Sequence, residues 1–153
     1  MVIIEDTRQK KGEHKKKNEY WDSQGVSVLR CKLPFGDYAL PPRVAVDTKK
    51  DMNEIATNLS NDHRRVANEV ENAYKSGCKL VFLVENRDGI EDIEGVKTWN
   101  NPRRFVSPKA IKGETLYKIM RTMERRYECE FQFCSPEESG KRVMEILNGY
   151  KQR

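Results

Sequence analysis

Three short apolar runs in this chain each stop on a carboxylate, and that pattern limits the fold more than any other feature. Val2-Ile3-Ile4 leads into Glu5-Asp6, Val44-Ala45-Val46 into Asp47-Thr48-Lys49, and Leu80-Val81-Phe82-Leu83-Val84 into Glu85. Runs of this length and β-prone composition read as buried strands. They are far too short to span a bilayer, and no signal peptide opens the sequence. Carboxylates at strand ends lie where α/β sheets gather their functional groups.

The remaining patterns supply the partners for those strands. Asp22 to Gly25 reads as a turn. Residues 26–33 alternate, with Leu29, Cys31 and Leu33 on one face and Arg30 and Lys32 on the other, as a half-exposed strand does. Gly36 ends that strand, and Asp37-Tyr38-Ala39-Leu40 starts another extended piece. Val66, Val70, Ala73 and Tyr74 fall at helical spacing, with Asn61 or Asp62 as N-cap and Gly77 as stop. Residues 86–107 are polar and irregular and read as a long surface loop. Leu116, Ile119, Met120, Met123 and Tyr127 mark an amphipathic helix, and Cys129 to Cys134 a strand. Ser135-Pro136-Glu137-Glu138 has the form of a helix start, with Val143, Ile146, Leu147 and Tyr150 as the buried stripe that follows. Strands cluster early and alternate with helices late. The expected architecture is one α/β domain over residues 1–153, a central mixed β-sheet flanked by helices, with a loop insertion at about 86–106.

Charge adds a partner. The net charge of +5 is modest, but its distribution is uneven. Arg8, Lys10, Lys11, Lys15, Lys16 and Lys17 put six cations into ten residues, and Arg103, Arg104, Lys109 and Lys112 form a second cluster. Solvated loops account for either cluster alone; two of them around an acidic site suit a phosphate backbone. Cys31, Cys78, Cys129 and Cys134 have no ligand spacing and read as buried or half-buried thiols of a reducing cytosol.

If residues 41–43 close a hairpin, Leu40 lies opposite Val44, and the same register puts Asp37 opposite Asp47. Facing carboxylates repel, so such a pair needs a cation between them. Lys49 leaves the strand on the same face as Asp47. Two carboxylates beside an ammonium suit a hard divalent cation, Mg2+ or Mn2+, since no soft or imidazole ligand is at hand. The bland alternative is an exposed ion pair of little energetic weight.

These residues bring a family into view. Ile3-Ile4-Glu5-Asp6-Thr7-Arg8, Gly36-Asp37-Tyr38 and Val46-Asp47-Thr48-Lys49 resemble, in order, the VDxRE, GDY and ERK segments of the XPF-type nuclease domain, a branch of the PD-(D/E)xK family. Arg65-Val66-Ala67-Asn68-Glu69, Leu83-Val84-Glu85-Asn86, Ser107 to Gly113 and Phe133 to Glu138 resemble later segments, so the likeness runs along nearly the whole chain. It implies a restriction-endonuclease-like fold and Mg2+- or Mn2+-dependent endonuclease activity on DNA, often at flaps, forks or other branches, in repair or recombination. By that resemblance Asp6, Asp37 and Asp47 form the acidic metal site, the Thr48 backbone carbonyl is a further ligand, and Lys49 is the catalytic lysine. Arg8 and Arg65 match arginines beside the phosphates. Departures are plain: Asp47 is one methylene shorter than the family's Glu, Thr48 replaces an Arg, and Gln9 and Asn53 stand where the family has acids.

The DNA-binding set expected from both arguments is Arg8, Lys10, Lys11, Lys15, Lys16, Lys17, Arg65, Arg103 and Arg104. The family often carries a tandem helix-hairpin-helix module, and a stand-alone form without it is expected here, with room for a separate DNA-targeting partner. A homodimer in a bacterial or phage-infected cytoplasm is the expected setting. The competing readings are a catalytically silent DNA-binding subunit and an unrelated basic binding module. Trp99 either stacks on an unpaired base or pins its own loop to the domain.

Overall fold

The computed structural model describes residues 1–150, so the last three positions of the expected 1–153 domain lie outside it. The chain divides into one unit of Met1–Pro42 and a second that begins at Arg43. In the first, β1 (Val2–Asp6) is the middle strand, parallel to β2 (Ser27–Cys31) and antiparallel to β3 (Tyr38–Ala39). Helix α1 (Lys15–Ser23) connects β1 to β2. In the second unit, β4 (Val44–Lys49), β5 (Lys79–Glu85) and β6 (Glu130–Cys134) form an all-parallel sheet with β5 in the middle. Helices α2 (Met52–Ser60) and α3 (His63–Lys75) connect β4 to β5, α4 (Gly113–Tyr127) precedes β6, and α5 (Ser139–Gly149) follows it. The α/β class is as the sequence implies, with one mixed and one parallel three-stranded sheet. Among the described residues no helix is long and apolar enough to cross a membrane.

The core lies in the second unit. Val81, Phe82, Leu83 and Val84 of β5 are fully buried, as a central parallel strand with both faces covered must be. One face packs with Met52, Ile55, Leu59, Val66, Val70, Leu116 and Met120, and Phe82 stacks on Phe131 with ring centroids 5.0 Å apart. The other face packs on Val44, Cys134 and Ile146. The Leu116–Met123 stripe is therefore core. Asp51 starts α2, accepting from the Glu54 N–H at 2.7 Å, a cap legible as Asp-x-x-Glu.

Several local expectations are corrected. Residues 41–43 do not close a hairpin: β3 pairs with β1 and β4 with β5, so Asp37 does not face Asp47 in a ladder. Pro41-Pro42 explains this, because residues before proline avoid the α region and two missing N–H groups remove the donors of a tight reversal. Lys15, Lys16 and Lys17 lie on α1. On β2, Leu29 and Cys31 are exposed and Val28 is the half-buried residue, opposite Ile3 in the ladder. Residues 86–107 are no surface loop. They contain two 3-10 segments, Ile93–Thr98 and Pro102–Phe105, and bury Ile90, Ile93, Val96 and Trp99 in the main core. Ser135 makes no side-chain cap; a 3-10 turn at Pro136–Glu138 intervenes before α5, where Leu147 is left exposed. Cys31 is exposed, while Cys78, Cys129 and Cys134 are buried.

Candidate active site

In the first unit the acidic groups gather at the C-terminal end of β1. Asp6 is 1% exposed. Its carboxylate accepts from the Arg8 backbone N–H at 2.9 Å and from Arg8 Nε at 2.9 Å, and ion-pairs with Arg8 Nη2. The Arg8 guanidinium holds the Asp6 carboxyl down at about 2, well below the usual carboxylate range, and Asp6 in turn raises Arg8. The Asp6 N–H donates to the Asp37 carbonyl at 2.9 Å, so the backbone after Gly36 is tied to the end of β1. Gln9 Nε2 donates to Asp37 Oδ1 at 2.7 Å, and Gln9 Oε1 meets His14 Nε2. Gln9 thus fixes the Asp37 carboxylate. Tyr38 packs edge-on against Trp21 at 5.1 Å, and its hydroxyl is buried without a hydrogen-bond partner.

In the second unit Asp47 and Lys49 share one face of β4, as the two-residue period requires. Lys49 Nζ lies 3.1 Å from Asp47 Oδ1 and 5.9 Å from the centroid of the Phe82 ring, the residue paired with Asp47 across the ladder. The Lys49 side chain is 9% exposed and that of Asp47 22%. Thr48 faces the other way and is exposed. One turn beyond, Asn53 in the first turn of α2 has a buried Oδ1 with no hydrogen-bond partner. A buried acceptor left without a donor is costly and uncommon.

Other expected residues are dispersed. Lys10, Lys11 and Lys16 are exposed, Lys15 lies 3.9 Å from Glu19, and Lys17 sits over the Tyr38 ring at 5.4 Å. Arg65 is exposed on α3 between Asp62 and Glu69, each 4.0 Å away. Arg103 and Arg104 belong to the Pro102–Phe105 turn. Trp99 is buried in the core, which is the pinning role and not that of a base platform. The Gln9–His14 support of Asp37 has no local signature in the sequence, because the Gln9–Asp37 bond spans 28 positions.

Among the described residues no three His, Cys, Asp or Glu side chains come together as a metal cluster. The donors present are nonetheless of the right character. Mg2+ usually keeps several waters and takes only one or two protein carboxylates. The second unit offers the Asp47 carboxylate and the orphaned Asn53 carbonyl oxygen, and the first unit, by itself, the carboxylates of Asp6 and Asp37.

No protein-family model matches the sequence, and no curated protein does. Among solved structures the chain is similar to XPF from Aeropyrum pernix, with a TM-score of 0.50 and 20% identity over 100% of this chain. It spans 66% of that solved chain's length. XPF from Aeropyrum pernix in complex with DNA is similar at a TM-score of 0.47 and 20% identity, covering 95% of this chain and 62% of that one. The fold is therefore an XPF-nuclease-like α/β fold.

Proposed function

We propose that the protein is a metal-dependent DNA endonuclease that acts on branched substrates such as flaps and forks. The observation that carries this reading is the Asp47–Lys49 pair at the C-terminal end of β4, with its ammonium buried. A buried ion pair is a weak stabilising device, so its value is sought in chemistry. Lys49 holds a positive charge where a phosphodiester would gain negative charge in the transition state. Asp6, Asp37 and Asp47, with the Thr48 carbonyl, are the oxygen donors that the resemblance assigns to Mg2+ or Mn2+. Bound there, the cation would lower the pKa of a water and offset charge on the phosphorane oxygens. Arg8 holds the Asp6 carboxyl ionised well below the usual carboxylate range, so a cation there would share that carboxylate with the guanidinium. Lys10, Lys11, Lys15, Lys16, Lys17 and Arg65 supply exposed positive charge for the DNA backbone.

One observation favours a second reading, the catalytically silent DNA-binding subunit. Asp6 is already neutralised by Arg8, and Asp37 already accepts from Gln9. Cleavage of labelled linear, flap, fork and four-way DNA with Mg2+ or Mn2+, beside Asp47→Asn and Lys49→Ala, decides between them. The nuclease reading expects cutting that needs metal and drops at least a hundredfold in both variants. Binding without cutting on every substrate selects the silent subunit.

A further inference from the structure

The Pro102–Phe105 turn and the approach to α4 enclose a second polar site, wholly within the unit that begins at Arg43. It is a cavity of about 620 Å3 whose lining includes Arg103, Arg104, Lys109 and Lys112, with Thr57 and Ser60 on the α2 side. Among the described residues no acidic one lines it. Arg103 Nη1 donates to Thr57 Oγ1 at 3.1 Å and Arg104 Nη1 to the Ala110 carbonyl at 2.8 Å. Those neutral partners fix the guanidiniums without cancelling their charge. Elsewhere in the unit Lys97, Lys118, Arg121 and Lys141 each have a carboxylate within 4.0 Å. Four cations without such a neighbour thus share one cavity, where they favour an anion.

Phe105 ends the same turn and is 93% exposed, with Val106 beside it at 91%. The turn that carries this ring is firmly held. Asn101 is buried; its side chain accepts from the Arg103 N–H at 3.0 Å and donates to the Ile111 carbonyl at 2.9 Å, and Pro102 sets the first residue of the turn. A large apolar ring is thus presented to water from a rigid base, between cations. Phe105 and Arg104 also line an adjoining cavity of about 610 Å3, which shares Asn101 and Lys112 with the first.

We propose that this surface is a cradle for single-stranded DNA, in which the four cations take backbone phosphates and Phe105 stacks on an unpaired base. The inference rests on the DNA reading above and names the substrate feature it selects: an unpaired segment beside a duplex. An exposed ring gains nothing from a duplex backbone, whose bases are already stacked, whereas every unpaired base offers a π-face.

The test is fluorescence anisotropy of the full chain without divalent metal, on labelled oligothymidine, a fork with single-stranded arms and a blunt duplex. Phe105→Ala is expected to weaken oligothymidine and fork binding about tenfold, to leave the blunt duplex unchanged, and to be rescued by Phe105→Tyr. The Arg104→Gln, Lys112→Gln double variant is expected to lower the salt dependence on oligothymidine by about 0.7 for each phosphate that is no longer neutralised. Equal weakening on single strand and duplex, or no change on either, overturns the proposal. So does conversion of a dimer to a monomer by Phe105→Ala with unchanged DNA constants, which would place the ring in a subunit interface. Loss of metal-dependent cutting with Phe105-dependent binding intact would refute the nuclease reading alone, and cutting and fork binding both indifferent to Phe105 would refute the cradle alone.

Discussion

Cys129 and Cys31 stand at opposite ends of the range of thiol environments in one small chain. Burial pushes the Cys129 thiol up to about 12, with Glu124 adding to the shift; desolvation also raises Cys78 and Cys134. Cys31 is exposed on β2. Since the thiolate is the nucleophile, iodoacetamide at about pH 8 is expected to label Cys31 alone in the native protein. All four cysteines should label after denaturation, and early labelling of Cys129 would contradict its burial. Asp6 sets a pH dependence of the opposite kind. Its folded pKa of about 2 lies below that of an unfolded Asp. The stabilisation from its Arg8 pair is thus complete above the unfolded value and fades as pH falls toward about 2. Asp6→Asn should lower denaturant stability at neutral pH and close the gap to the parent protein as the pH drops from about 5 to 2. A gap that stays constant through that window would show that the Arg8 pair contributes nothing. Asp6 was a candidate in the sequence, and burial was expected there for the cysteines, which holds for Cys129 and not for Cys31. The exposure of Cys31 and the guanidinium clamp on Asp6 were not legible, because both are properties of the folded surroundings.

At the scale of elements, the segment between β5 and α4 departs most from what local sequence implies. Its polar composition and its Gly, Asn and Pro residues read as loop, yet Ile90, Ile93, Val96 and Trp99 are buried. The apolar residues are spaced by 3, which a 3-10 turn places on one side, and that spacing was the signal available. Glu94 then fastens the segment to α4: it accepts from Tyr117 Oη at 3.0 Å and pairs with Arg121 at 2.6 Å and Lys97 at 2.7 Å. Gly113 is where the two elements come closest. A Cβ there would stand 2.5 Å from the carbonyl oxygens of both Trp99 and Val96, which are backbone atoms without freedom to move aside. Gly113→Ala is expected to cost about 1–3 kcal/mol in denaturant melts. Trp99→Ala should cost about 3–5 kcal/mol, as for other buried aromatic truncations. A near-neutral Trp99→Ala that instead weakened DNA binding would return the ring to the role of a base platform. By contrast β5, α3 and α4 were legible, because each carries an unbroken apolar period whose burial decides its conformation.

For the molecule as a whole, the residues from Met1 to Pro42 and those from Arg43 onward differ in what holds them together. Buried apolar side chains begin at Val44; before it, the residues buried to the same degree are Glu5 and Asp6. Both apolar clusters belong entirely to the second unit. This explains the failed hairpin at the largest scale. The stretch 37–49 looks self-complementary when read locally, but strand partners are chosen by burial, and β4 gains most beside the fully apolar β5. Non-local pairing of that kind leaves no mark in the sequence between the strands. A segment of about 40 residues seldom sustains a core without a staple. A fragment starting at Arg43 is therefore expected to melt cooperatively in calorimetry, and the isolated Met1–Pro42 peptide to show no transition. The same fragment retains Arg103, Arg104, Phe105 and Lys112 but lacks Asp6 and Asp37. It should therefore keep Phe105-dependent binding to oligothymidine while cutting no substrate. A fragment that still cut DNA with Mg2+ would remove the first unit's carboxylates from the chemistry and leave Asp47 and Lys49 to carry it. One that folded but bound no single strand would place the affinity in the lysines of α1 instead.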